Sequence, residues 1–159
     1  MHRVNVTTTD CAYDAEDPDG FHAGMARFGP GFGARKTGAS LYELAPGQAL
    51  CPYHYEYGEE EWLLVLSGRA SVRTPDGVQT LAPDDLVFFP VGPDGAHQVR
   101  NDSDEPVRVL LWSNVVHPTA TAYPDSDKIG LFTGDPAEDV MVHRSSDVGY
   151  YDGEVNGGA

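Results

Sequence analysis

The chain has 159 residues, 40% of them apolar, which fits a single domain with a real core and excludes a disordered composition. Its 25 acidic residues against 10 basic ones give a formal charge of −15, which repels a polyanion such as DNA, and no basic run longer than Arg35-Lys36 offsets it. No apolar run approaches the ~20 residues of a membrane-spanning helix, and "MHRVNVTTTDCAYD" lacks the charged and apolar regions of a signal peptide, so the expectation is a cytoplasmic protein with neither a nucleic-acid nor a membrane partner.

The first 37 residues read as an arm. "YDAEDPDG" and "FGPGFGARKTG" are rich in turn formers, with room for one or two short strands. "GPGFGARK" lacks the GxxxxGK[ST] spacing of a phosphate loop and no helical pattern follows it. No long period of 3.6 occurs anywhere, so helices should be few.

From residue 38 to 116 the pattern changes to short strands with turn punctuation, and this segment is expected to form the barrel core. "ASLYELAP" ends at Pro46-Gly47. "ALCPYHYE" is extended and aromatic. "EWLLVLSG" is rich in branched residues and stops at Gly68. "RASVRT", a "PDG" turn and "VQTLAP" give a hairpin signal. "DLVFFP" ends at Pro90, and "GAHQVRN" and "PVRVLLWS" flank the polar turn "DSDE". Many short strands at near-regular spacing argue for an all-β antiparallel sandwich or barrel. Residues 117–159 read as a C-terminal extension, with "YPDSDK" as a surface turn and Asn156 to Ala159 frayed. Cys11 and Cys51 are 40 residues apart and form no CxxC, so both are expected to be thiols.

The chemistry concentrates in "CPYHYEYGEEEWLLVLSG". In a strand, residues two apart share a face, so His54 and Glu56 point one way, and Tyr53 and Tyr55 the other. On the next strand Glu61, Leu63 and Val65 share a face, while Trp62 and Leu64 point outward. If the two strands pair through "YGEE", His54, Glu56 and Glu61 converge inside the barrel. Buried carboxylates beside an imidazole are costly unless a cation joins them. His97, at the start of a strand after a Pro/Gly loop, is the fourth candidate ligand. Two histidines and two carboxylates form a mixed N/O set suited to Fe, Mn, Ni, Co or Zn. Glu56 is either the fourth ligand or a general base, and hence the candidate catalytic residue. Glu60 is an alternative to Glu61, but strand parity from Gly68 favours Glu61. Glu59 reads as a solvated turn residue, Asn101 as satisfying backbone in a turn, and His2, His22, His117 and His143 as surface residues.

These residues resemble the cupin superfamily. "GQALCPYHYEYGEEEWLLVLSG" is similar to the first cupin motif, G(x)5HxH(x)3–4E(x)6G, with His54 at the first His and Glu61 at the Glu; Glu56 stands at the second His, and one extra residue separates Gly47 from His54. "DDLVFFPVGPDGAHQVRN" is similar to the second motif, G(x)5PxG(x)2H(x)3N: Pro90, Gly92 and Asn101 fit, Asp84 replaces the first Gly, and His97 comes two residues late. The finer resemblance is to small single-domain bacterial cupins with "PYHYE", "EEW", "FPxGPxGAH" and "YPDSDK" segments and no assigned substrate. The resemblance implies a double-stranded β-helix, a divalent transition metal, a small-molecule ligand and a homodimer. Three functions follow from it: a metal-dependent enzyme on a small polar metabolite (dioxygenase, isomerase, epimerase or lyase type), a non-catalytic binding or sensing module, or a metal-free structural cupin.

Overall fold

The structure is a computed structural model that describes residues 1–155; the fraying expected at Asn156 to Ala159 lies outside the described residues. Twelve strands are present among these residues: β1 (Ala23–Arg27), β2 (Thr37–Leu44), β3 (Tyr55–Glu56), β4 (Glu61–Ser67), β5 (Ala70–Thr74), β6 (Gly77–Leu81), β7 (Leu86–Phe89), β8 (Gln98–Arg100), β9 (Val107–Asn114), β10 (Thr119–Tyr123), β11 (Lys128–Phe132) and β12 (Val140–His143). The helix α1 spans only Gly29–Phe32, and the other helical pieces are single turns of 3-10 type. No described helix is long and apolar enough to cross a membrane.

Every pairing is antiparallel. The strands form a five-stranded sheet, β1-β2-β9-β4-β7, a four-stranded sheet, β12-β11-β10-β3, and a three-stranded sheet, β6-β5-β8. The architecture is the jelly-roll barrel expected for a cupin. The β5–β6 hairpin closes over Pro75 and Asp76, where the "PDG" signal stands. β4 alternates as its parity predicts: Leu63 and Val65 are fully buried, while Trp62 is exposed. Leu44, Leu63, Val65, Phe89, Val107 and Val109 from the five-stranded sheet meet Ala70, Val72 and Val99 from the three-stranded sheet, and this is the core.

One pairing differs from expectation. The segment holding His54 and Glu56 does not form a hairpin with β4. β3 pairs with β10, and β4 pairs with β7 and β9. The chain from Tyr57 to Glu60 crosses from one sheet to another. Tyr53 and Tyr55 are covered from the C-terminal segment, where Ala122 of β10 packs on them. The "YPDSDK" segment is a turn with a fastening role. Asp125 takes a bidentate contact from Arg73 of β5 at 2.6 and 2.9 Å, and that guanidinium lies 4.0 Å from the centre of the Tyr53 ring.

Both thiols are free, as expected. Arg108 of β9 holds the arm by donating to the carbonyls of Val6 and Thr9. Asn101 is fully buried and satisfies a turn: its Nδ2 donates to Leu44 O and Glu105 O, and its Oδ1 accepts from Ser103.

Candidate metal centre

Glu61 opens β4 two residues before Leu63, so its carboxylate shares the inward face. His54 and His97 stand immediately before β3 and β8 and form a cross-strand pair. His54 N–H donates to His97 O at 3.0 Å, and His97 N–H donates to His54 O at 2.8 Å. This pair stitches the four-stranded sheet to the three-stranded one. Directly opposed residues project their side chains to the same face, and the two rings lie 4.7 Å apart.

The remaining contacts aim both rings at Glu61. Nδ1 of His54 faces Pro52 O at 3.0 Å, and Nδ1 of His97 faces Gly95 O at 2.9 Å. A carbonyl only accepts, so Nδ1 carries the proton in the neutral ring and Nε2 is the free donor atom. The two Nε2 atoms lie 3.7 Å (His54) and 3.5 Å (His97) from Glu61 Oε2. One donor atom from each of the three residues lies within 4.8 Å of the others. His97 Nε2 is buried and has no hydrogen-bond partner among the described residues. An orphaned buried nitrogen costs about 1–3 kcal/mol. A divalent cation between two imidazoles and a carboxylate would remove that cost, and the N/O donor set suits a first-row transition metal.

The electrostatics of the metal-free cluster are those of a site built for positive charge. Burial disfavours a charged His54, but the Cys51 sulfur, 3.5 Å from its Nδ1, and the Glu61 carboxylate overcome this and push it up to about 11. Burial and the neighbouring His54 charge push His97 down to about 4. Burial alone would raise Glu61; its contacts with the two histidines hold it below the ordinary carboxylate range instead. A single proton on His54 thus stands in for the cation.

Glu56 sits at the edge of this group. It pairs with Thr121 across β3 and β10, and Thr121 Oγ1 donates to its carboxylate, at 2.8 and 2.7 Å from the two oxygens. Its closest approach to the cluster is 3.9 Å, from Oε1 to His54 Nε2. Burial, opposed by the Thr121 hydroxyl and His54, pushes its pKa up to about 7. A carboxyl whose folded-state pKa is raised stabilises the protein while protonated. That contribution is complete below about 4.5, the unfolded value, and is lost as pH rises through about 7. Glu56→Gln keeps the neutral shape at every pH. In chelator, the variant should therefore gain about 2 kcal/mol on the parent between pH 5 and pH 8, read by denaturant unfolding. An unchanged difference across that range would show that Glu56 ionises freely.

A cavity of about 530 Å³ opens on the cluster, lined by His54, Glu56, Thr121 and Tyr123 on its inner side and by Arg27 and His117 on its outer side. Tyr123 stacks on His54 with 6.1 Å between ring centres, and burial pushes its hydroxyl up to about 12. A second cavity, about 490 Å³, reaches Glu61 and shares Arg27, Glu59 and His117 with the first. Glu59 is half-buried rather than solvated: its Oε1 accepts from Val116 N–H at 3.0 Å. His117 is exposed, as a surface residue should be, yet it lines both cavities. Thr121, Arg27 and His117 carry no motif spacing, because each comes from a strand or turn distant in sequence.

Residues 40–113 match the cupin domain family. The fold is similar to that of a protein described as a sugar phosphate isomerase from Acidithiobacillus ferrooxidans, with 24% identity, a TM-score of 0.80 and 90% of each chain covered. It is similar to a sugar phosphate isomerase of a cupin superfamily from Silicibacter pomeroyi, with 20% identity, a TM-score of 0.77, and 95% of this chain and 98% of that one covered. A polyketide cyclase from Streptomyces resistomycificus aligns with 20% identity and a TM-score of 0.59 over 72% of this chain and 79% of its own. At these identities the likeness is one of fold. Among curated proteins, none matches this sequence.

Proposed function

We propose that this chain, whose residues 40–113 match the cupin domain family, is a metal-dependent enzyme of the isomerase type acting on a small polar metabolite. The observation that carries the reading is the buried His54, Glu61 and His97 group with an orphaned Nε2, opening on a cavity of metabolite size. His54, Glu61 and His97 would hold a divalent transition metal, which supplies Lewis-acid polarisation of a substrate oxygen.

The rest of the chemistry belongs to the chain. In the metal-free cluster burial pushes the Glu56 carboxyl up to about 7, and it is the carboxylate on the cavity wall placed to take and return a proton. Thr121 orients its oxygens and the cavity wall brings it beside the bound metabolite. Tyr123 stays protonated and, stacked on His54, lines the cavity wall beside it. Proton transfer between adjacent carbons of a hydroxycarbonyl compound uses such a base, and the two fold neighbours described as sugar phosphate isomerases agree with that class. A binding module without turnover is the second reading. It is favoured by one observation, that the Thr121 hydroxyl contacts both Glu56 oxygens.

Metal content is the first test. Protein purified without chelator or polyhistidine tag should carry about one first-row transition metal per chain by mass spectrometry, or take it up from Fe, Mn, Ni or Zn. No uptake of any of the four would overturn the reading. Glu56→Gln then separates the roles: metal kept with turnover lost assigns Glu56 as the base, metal lost assigns it as a ligand, and turnover kept removes it from the mechanism.

A further inference from the structure

Three groups on the outer side of the site belong to both cavities: Arg27 at the end of β1, Glu59 before β4, and His117 after β9. One cavity reaches His54 and Glu56, and the other reaches Glu61. The three residues therefore line open space that also reaches the metal candidates.

Charge accounting separates them. Glu59 is occupied by Val116 N–H, with Ser113 Oγ at 3.5 Å, and Asp139, also in the first cavity, accepts from Thr133 N–H at 2.8 Å. Glu56 is held by Thr121. The cavity's carboxylates thus already have donors. Its cation does not have an acceptor. Arg27, the one arginine lining either cavity, makes no ion pair or side-chain hydrogen bond among the described residues. With five N–H donors in a planar fork, an unpaired guanidinium at a cavity mouth matches a carboxylate or a phosphate.

The geometry points to Arg27, assisted by His117, as the group that recognises an anionic substituent of the substrate. The ligand would then be a small organic anion, a hydroxycarboxylate or a phosphate monoester, whose charged end meets Arg27 while its hydroxyl or carbonyl oxygens face His54, Glu61 and His97. This rests on the reading of the barrel mouth as a substrate site. It also explains how a chain with a formal charge of −15 takes in an anion: one fixed cation stands at the entrance, and the metal adds more charge behind it.

The test is calorimetric titration of the metal-loaded protein with four probes: ribose 5-phosphate, glycerate, and their uncharged counterparts ribose and glycerol. At least one charged probe should bind roughly 10- to 100-fold more tightly than its neutral counterpart, the range of one or two charge-assisted contacts. Which one does so distinguishes phosphate from carboxylate. Arg27→Gln should remove that preference and leave metal content and the weak binding of the neutral probes unchanged; Arg27→Lys should restore part of it. Equal binding of charged and neutral probes, no binding of any of the four, or a preference that survives in Arg27→Gln would each overturn the assignment. Failure of the metal centre reads out separately, as absent metal in the parent protein. In that case metal-free parent and Arg27→Gln are compared for inorganic phosphate binding by NMR, and identical spectra would overturn the assignment there too.

Discussion

Gly95→Ala is expected to cost more than about 4 kcal/mol and to abolish metal binding, whereas Gly31→Ala should be near neutral. A Cβ on Gly95 would lie 1.6 Å from Pro90 O and 2.8 Å from Pro90 C. Both are main-chain atoms at the end of β7, so no side chain can swing aside. The loop must move, and three contacts fix it: Gly95 N–H to Gly92 O at 3.0 Å, Ala96 N–H to Pro93 O at 3.1 Å, and Gly92 N–H to Glu56 O at 2.7 Å. Gly95 O is also the acceptor that orients His97. Displacement of this turn therefore reaches both His97 and the strand that carries Glu56. A Cβ on Gly31 meets nothing within 4 Å. Denaturant unfolding of both variants, with metal titration of whatever fraction folds, makes the comparison. A Gly95→Ala protein within about 1 kcal/mol of the parent and still binding metal would show that the turn is soft.

The same turn illustrates what the sequence could reveal. Period-two parity on "EWLLVLS" placed Glu61, Leu63 and Val65 inward, because a strand buried on one face leaves no other register. The "PDG" signal was local and gave the β5–β6 hairpin. Aligning "DDLVFFPVGPDGAHQVRN" by its Pro/Gly loop found His97 in spite of its two-residue offset, which the 3-10 turn at Pro93–Gly95 absorbs. Partner choice was not legible. Nothing in "YHYEYGEE" says that β3 pairs with β10, some 65 residues later, because that register is decided by which sheet edge is left free. His54 and Glu61 meet across the barrel, through the His54–His97 bridge, and not through a hairpin at Tyr57–Glu60. Glu59 departs from a solvated turn for a related cause. An acidic residue in a turn is ordinarily solvated, and the N–H it caps belongs to Val116, far along the chain. Arg27 and His117 were invisible for the same reason as Thr121, since cavity walls assembled from remote strands leave no spacing to read.

His97→Leu is the variant that separates the binding role of the site from its packing role. Metal affinity should fall by at least about 1000-fold, because loss of one of three donors leaves a two-ligand site. The metal-free variant should nevertheless stay within about 1 kcal/mol of the parent. Two effects oppose each other there. The parent buries His97 Nε2 with no partner, which costs about 1–3 kcal/mol, and leucine removes that atom while remaining apolar against Phe89, whose ring centre lies 3.6 Å from the imidazole. Against this, the variant loses the hydrogen bond to Gly95 O, worth about 1 kcal/mol, and the stacking on Phe89. His97→Ala removes the same donor but opens a cavity as well, and should cost about 2–4 kcal/mol in the metal-free state. Linkage supplies the readout: at a free metal concentration 100 times its Kd the parent gains about 2.7 kcal/mol, and its melting temperature climbs with each tenfold increase, while both variants stay flat. If His97→Leu tracked the parent through the metal titration, His97 would be a packing residue and the cation would have to be held elsewhere. A flat parent beside stable variants would mean that the barrel tolerates its orphaned nitrogen without any metal at all.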